Sequence, residues 1–142
     1  MSKQIIVSGY ARMWPREVFG RFPPPKGAAS RRKKSMAKGL SFLAGPGVYV
    51  LYRDDEPHYI GQATKLHSRL WGHAIQAEGR YFHFWNFFSA FAVPTQRHRD
   101  ELEGVLIAAM PTANSAKPRL QKERMPREVR DLLRKIMTYQ VG

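Results

Sequence analysis

Two short apolar runs on either side of a charged turn constrain this chain more than anything else in it. Val48-Tyr49-Val50-Leu51-Tyr52 and His58-Tyr59-Ile60 flank Arg53-Asp54-Asp55-Glu56-Pro57. Aromatic and β-branched residues around a charged, proline-containing turn predict a β-hairpin. Gly45-Pro46-Gly47 leads into it and Gly61 leads out. Side chains alternate faces along a strand, so Tyr49 and Tyr59 can present their hydroxyls on one side of the pair. Taken singly, each is a sheet aromatic with a wet tip. The residues downstream make the pair a candidate site.

Charge narrows the partner. Lys and Arg number 24 against 11 Asp and Glu, a net charge of +13 on 142 residues. Such an excess on so small a protein implies a polyanion, nucleic acid ahead of acidic membrane. There is no cysteine, which excludes disulfides, thiolate chemistry and Cys-type zinc sites. No apolar run approaches the roughly 20 residues that span a bilayer. Ile5-Ile6-Val7 is followed at once by Ser8-Gly9, so no signal-peptide core is expected. The expectation is a soluble, intracellular protein (cytoplasmic, nucleoid or nuclear) with one compact domain and an extension at each end.

Residues 1–44 are expected as a basic N-terminal extension. Gln4-Ile5-Ile6-Val7 suits a short strand, and Pro15-Arg16-Glu17-Val18-Phe19 a helical turn with proline at its first position. Phe22-Pro23-Pro24-Pro25-Lys26-Gly27 must be extended. Arg31-Arg32-Lys33-Lys34, with Lys38 close behind, is a candidate nucleic-acid-binding arm tracking phosphates; a solvated tail is the plain alternative. Residues 1–38 carry a net +9 of the chain's +13.

From residue 45 the pattern is regular. Thr64 is a candidate N-cap for a helix to about Glu78, closed by Gly79, with Leu66, Leu70, Ala74 and Ala77 toward the core. Arg69 and His73 lie beside that stripe, four apart and adjacent on the helix surface. Tyr81 to Val93 is the most aromatic stretch and predicts a core strand or two ahead of a base-stacking platform. Pro94-Thr95 opens a helix to about Met110, with Leu102, Val105, Leu106, Ala109 and Met110 as its stripe and Glu103 on the border. Pro111 closes it. Met125-Pro126 leads into a last helix, Arg127 to about Tyr139, with Val129, Leu132, Leu133, Ile136 and Met137 on one side; residues 115–142 are expected to pack on the domain. The order predicts an α/β domain: a small mixed or antiparallel sheet of about three strands flanked by helices.

Together these residues resemble the GIY-YIG nuclease family. Its first element appears as Gly47-Val48-Tyr49, with valine where isoleucine is commonest, and its second is intact as Tyr59-Ile60-Gly61. Arg69 stands ten residues past Tyr59, where the family places a helical arginine, and His73 follows where it places a tyrosine or histidine. The family's metal-binding glutamate, in a Leu-Glu-x-x-Leu-Ile context, corresponds to Glu103 in Leu102-Glu103-Gly104-Val105-Leu106-Ile107. Its Pro-x-x-Asn close is Pro111-Thr112-Ala113-Asn114. The resemblance spans residues 45–114. One departure is Gln62, where the excision-repair branch carries lysine, so a lysine-assisted step is not carried over. With His73, the chain looks more like the homing and restriction branches.

The resemblance implies hydrolysis of DNA phosphodiesters, with Tyr49, Tyr59, Arg69, His73 and Glu103 as catalytic residues and Asn114 as their buttress. Glu103 would hold one divalent ion, Mg²⁺ or Mn²⁺, completed by water and phosphate oxygens. Arg69 offers a permanent charge and a planar donor fork to the phosphate. Tyr49, with an ordinary phenol pKa near ~10, and His73, near ~6.5, are both candidates for the general base. The implied partner is DNA, duplex or branched, with a homodimer if both strands are cut and with no membrane. Two other classes compete: a DNA- or RNA-binding protein on this fold that does not cut, and a recruitment module whose charge meets a protein. The first predicts a lost catalytic position, and none of the central ones is lost. The five histidines form no zinc motif, Asp54-Asp55-Glu56 belongs to the hairpin turn, and Ser8 and Ser68 lack a nucleophile context.

Overall fold

The computed structural model describes residues 6–21, 38–75, 84–112 and 121–141. The predicted hairpin forms β2 (Gly47–Arg53) and β3 (Glu56–Ala63), turning through Asp54 at φ 55°. Asn86 holds the turn: its Oδ1 accepts from the Asp54 N–H at 2.7 Å and its Nδ2 donates to the Asp54 carboxylate at 2.9 Å. The aromatic stretch supplies one strand, β4 (Phe87–Ala92), paired antiparallel to β2.

A further strand comes from the segment expected as an extension. β1 (Gly9–Pro15) pairs antiparallel with β4, completing a sheet in the order β1-β4-β2-β3. Of the short strand expected at Gln4–Val7, Gln4 and Ile5 lie outside the described residues, and Ile6 and Val7 precede β1 without joining it. β1 is irregular. Its register slips between Ala11 and Trp14, where Met13 has φ 54° and the Met13 N–H donates to Ser89 Oγ at 3.1 Å. That bulge, between a glycine and a proline, erases the clean alternation by which a strand is recognised. The helical turn expected from Pro15 begins instead at Val18, as α1 (Val18–Arg21), because Pro15 ends β1; it drives Phe19 fully into the core. Residues 9–21 therefore belong to the sheet and core rather than to a free arm. Arg31, Arg32, Lys33 and Lys34 lie outside the described residues, and Lys38 opens a 3-10 helix to Ala44.

Alternation along β2 gives the sheet two working faces. Tyr49 and Leu51 face Leu66, Leu70 and Ala74 of α2 (Leu66–Ile75), together with Phe19, Leu40, Leu43, Trp85 and Phe88. Phe19 and Phe88 sit 4.9 Å apart between ring centres, and Trp85 meets Phe88 edge-on at 6.3 Å. The aromatic stretch is thus core at Trp85 and Phe88, each burial contributing about 1.5–3 kcal/mol. On the other face, Val48, Val50 and Ile60 meet Leu102, Leu106 and Ile107 of α3 (Gln96–Ala109) and Met110, its C-cap.

Helix ends differ from the expected stripes. Ile107 joins the α3 contact, while Val105 is 51% exposed. At roughly 100° per residue Val105 lies well off the Leu102-Leu106-Met110 ridge. The apolar stripe of α4 (Arg127–Val141), expected to pack on the domain, is exposed from Val129 to Met137. No helix among the described residues is long and apolar enough to cross a membrane.

Candidate active site

The two glycine-bearing elements of the hairpin are explained by close packing. A Cβ on Gly47 would collide with the Phe91 carbonyl oxygen on β4 and with Leu66 on α2. Gly47 is therefore where β4, β2 and the start of α2 close on one another. Gly61 pairs in register with Tyr49, whose ring lies across it. A Cβ there would stand 2.5 Å from the Tyr49 hydroxyl and 2.9 Å from the Tyr59 ring. The tyrosine of one element needs the glycine of the other.

That packing brings three rings together. Tyr49 and Tyr59 lie 6.1 Å apart between centroids, Tyr49 and His73 5.6 Å, and Tyr59 and His73 6.2 Å. The Tyr49 hydroxyl is 2.9 Å from His73 Nε2. Arg69, exposed on α2 one turn before His73, brings its positive charge to bear on the Tyr49 hydroxyl. Tyr49, Tyr59, Arg69 and His73 thus form one cluster.

Both titratable members of the central pair are held neutral. Burial pushes the Tyr49 phenol well above its ordinary value, Tyr59 adds to the rise, and the Arg69 charge opposes it. Burial, and then Arg69, lower His73 to about 4. His73 in the unfolded chain, near ~6.5, binds its proton more readily than in the folded protein, so stability rises with pH across this window. Its contribution is complete above about pH 6.5 and is lost as pH falls toward 4. Urea unfolding at pH 7 and pH 4.5 is expected to show a larger loss for the wild type than for His73→Asn. Equal losses would show that His73 is not buried as a neutral ring.

The helix carrying His73 is pinned at its end. Trp85 Nε1 donates to the His73 carbonyl at 3.3 Å. Arg16 donates to the Ala74 carbonyl at 2.8 Å and the Trp85 carbonyl at 3.2 Å, with its guanidinium 5.3 Å from the Trp85 ring centre. Arg16 is a supporting residue that the sequence does not single out. Its partners are 58 and 69 positions away, and no local pattern marks it.

Glu103 lies on α3, which packs on the opposite face of the sheet from Tyr49, so the fold does not seat it among the three rings. Glu103 as a residue is half-buried. Among the described residues no group of three or more His, Cys, Asp or Glu could hold a metal ion. A protein-caged ion therefore does not fit these residues, whereas an ion taking one hard carboxylate oxygen and completing its shell with water and phosphate does. Asn114 lies outside the described residues.

A second polar cluster stands where β3 meets α3. Gln62 Nε2 donates to Asp100 Oδ1 at 2.9 Å, and Gln96 Nε2 donates to Gln62 Oε1 at 2.8 Å and to Asp100 Oδ1 at 2.9 Å. Arg99, 7% exposed, ties the β4–α3 connection by donating to the Val93 and Pro94 carbonyls and to Gln96 Oε1. Strand alternation was the available signal, since Gln62 must face away from Tyr59 and Gly61, toward α3.

No protein-family profile matches this chain, and neither does any curated protein. Among solved structures it is similar to the GIY-YIG N-terminal endonuclease domain of UvrC from Thermotoga maritima, a point mutant bound to its catalytic divalent cation. Identity is 25%, the match covers 52% of this chain and 91% of that one, and the TM-score is 0.42.

Proposed function

We propose that this chain is a divalent-metal-dependent DNA endonuclease of the GIY-YIG type, hydrolysing phosphodiester bonds at the Tyr49-Tyr59-Arg69-His73 cluster with Glu103. The observation that carries the reading is the 2.9 Å contact between a buried tyrosine hydroxyl and a neutral imidazole, beside an exposed arginine. Such a pair suits proton transfer and such an arginine suits a phosphate.

In this reading the Tyr49 hydroxyl donates to His73 Nε2. As the attacking water approaches phosphorus, it gives a proton to the Tyr49 oxygen while the phenol passes its own to His73. A free phenolate is never needed, so the raised pKa of Tyr49 is no obstacle. An incoming phosphodiester faces Arg69 and offsets the part of His73's depression that Arg69 causes, which improves the imidazole as an acceptor once DNA is bound. Tyr59 orients the phosphate, and Arg69 stabilises charge on its oxygens in the transition state. A Mg²⁺ or Mn²⁺ ion at Glu103 would supply further positive charge for the phosphoryl and leaving 3′ oxygens. Asn114 buttresses the site, and Arg31, Arg32, Lys33, Lys34 and Lys38 grip the backbone. One such centre cuts one strand at a time, so double-strand cleavage takes a homodimer or two visits.

Labelled linear, nicked, branched and single-stranded DNA, incubated with and without Mg²⁺, tests this directly. Cleavage is expected only with the ion and only with a competent Tyr49-His73 pair. Undiminished cutting in EDTA, or binding with no cutting of any substrate, overturns it.

A further inference from the structure

The Gln62-Gln96-Asp100 cluster lies outside the proposed chemistry, yet it joins its two halves. Gln62 directly follows Gly61 on β3, and its backbone is continuous with the strand that carries Tyr59. Gln96 and Asp100 occupy the first two turns of α3, whose next turn carries Glu103. By helical geometry Glu103 is about 60° around the axis from Asp100, between the Leu102-Leu106-Met110 ridge and the Gln96-Asp100 flank. The apolar ridge sets how far α3 stands from the sheet, but apolar contact is non-directional and fixes rotation and sliding poorly. Directional bonds are needed for that. They converge here on one carboxylate oxygen, with Arg99 holding Gln96 from behind.

We infer that Gln62, Gln96 and Asp100 form a positioning clamp that fixes the rotation of α3 and so sets where the Glu103 carboxylate stands relative to Tyr59. The inference rests on the nuclease reading for its consequence, but not for its geometry. Asp100 acts in the clamp as a hydrogen-bond acceptor rather than as a charge. An asparagine oxygen can accept the same two bonds, so Asp100→Asn preserves the clamp whereas Asp100→Ala and Gln62→Leu break it. A metal-ligating role for Asp100 would require the reverse sensitivity, because removing its charge would be costly.

The experiment reads Glu103 itself. The side-chain carboxyl ¹³C resonance of Glu103 and the amide exchange rates of α3 are measured in the full chain for the wild type and the three variants. Mn²⁺ affinity without DNA and steady-state cleavage with Mg²⁺ are measured beside them. Expected is a shifted Glu103 signal and faster exchange in Asp100→Ala and Gln62→Leu, with both restored in Asp100→Asn. Mn²⁺ affinity and turnover should fall roughly 10- to 100-fold in the broken variants, the scale on which disturbing a metal ligand's orientation acts, with KM for DNA little changed. An unmoved Glu103 signal in Asp100→Ala overturns the clamp even where DNA is cut. Asp100→Asn behaving like Asp100→Ala also overturns it, by showing that charge matters. If the Glu103 signal follows the clamp while the wild type neither binds Mn²⁺ nor cuts DNA, the clamp stands and the nuclease reading falls.

Discussion

Gly61→Ala is expected to lose at least roughly 10²-fold in turnover, the scale of a misplacement of about 1 Å at a catalytic group. The added methyl would sit 2.5 Å from the Tyr49 hydroxyl and 2.6 Å from the ring carbon that bears it. Tyr49 is 1% exposed and is packed between α2 and the sheet, so its ring has nowhere to swing. Either β3 lifts from β2 or Tyr49 slides, and both outcomes break the 2.9 Å contact with His73. Overpacking of this kind costs about 1–3 kcal/mol, so most of the protein should still fold at room temperature. Gly45→Ala is the control, because a Cβ there meets nothing within 4 Å. Its stability should stay within about 0.5 kcal/mol of wild type and its turnover should not change. Denaturant unfolding and single-turnover cleavage on the two variants check this. Full turnover in a folded Gly61→Ala protein would mean that the Tyr49-His73 contact does not act in catalysis.

What was legible in the sequence was whatever depends on short-range pattern. The hairpin, α2 with Arg69 and His73 on one flank, and the neighbourhood of Tyr49 and Tyr59 all follow from alternation, helical spacing and turn residues over fewer than 30 positions. β1 was not legible, because its strand character comes from a partner about 80 residues away and its own pattern is broken by the Met13 bulge. Arg16 and the Gln62-Gln96-Asp100 clamp were hidden for the same reason: polar side chains on an alternating strand or a helix flank look solvated until the far element arrives. The exposed stripe of α4 is the converse case. Its spacing predicted a buried face, but spacing says only that a helix has an apolar side, not what covers it.

Glu103 is the sharpest remaining test, because chemistry and packing make different demands on it. It stands beside the ridge by which α3 packs on Val48, Val50 and Ile60, so removing the side chain altogether risks the helix contact as well as the carboxylate. Glu103→Gln keeps the shape and removes the charge. A neutral amide is a poor ligand for a hard dication. We therefore expect Glu103→Gln to fold with wild-type stability, to bind DNA with near wild-type affinity and salt dependence, and to show no measurable cleavage in Mg²⁺ or Mn²⁺. Its Mn²⁺ binding, read by paramagnetic broadening in the absence of DNA, should disappear in parallel. Binding should survive because it draws on the net charge of +13, to which one carboxylate among 11 acidic residues contributes little. If Glu103→Gln instead cleaves at the wild-type rate, the ion is held elsewhere. The Tyr49-His73 pair would then have to work beside a different acid, and Asp100 is the nearest one on the same flank of α3.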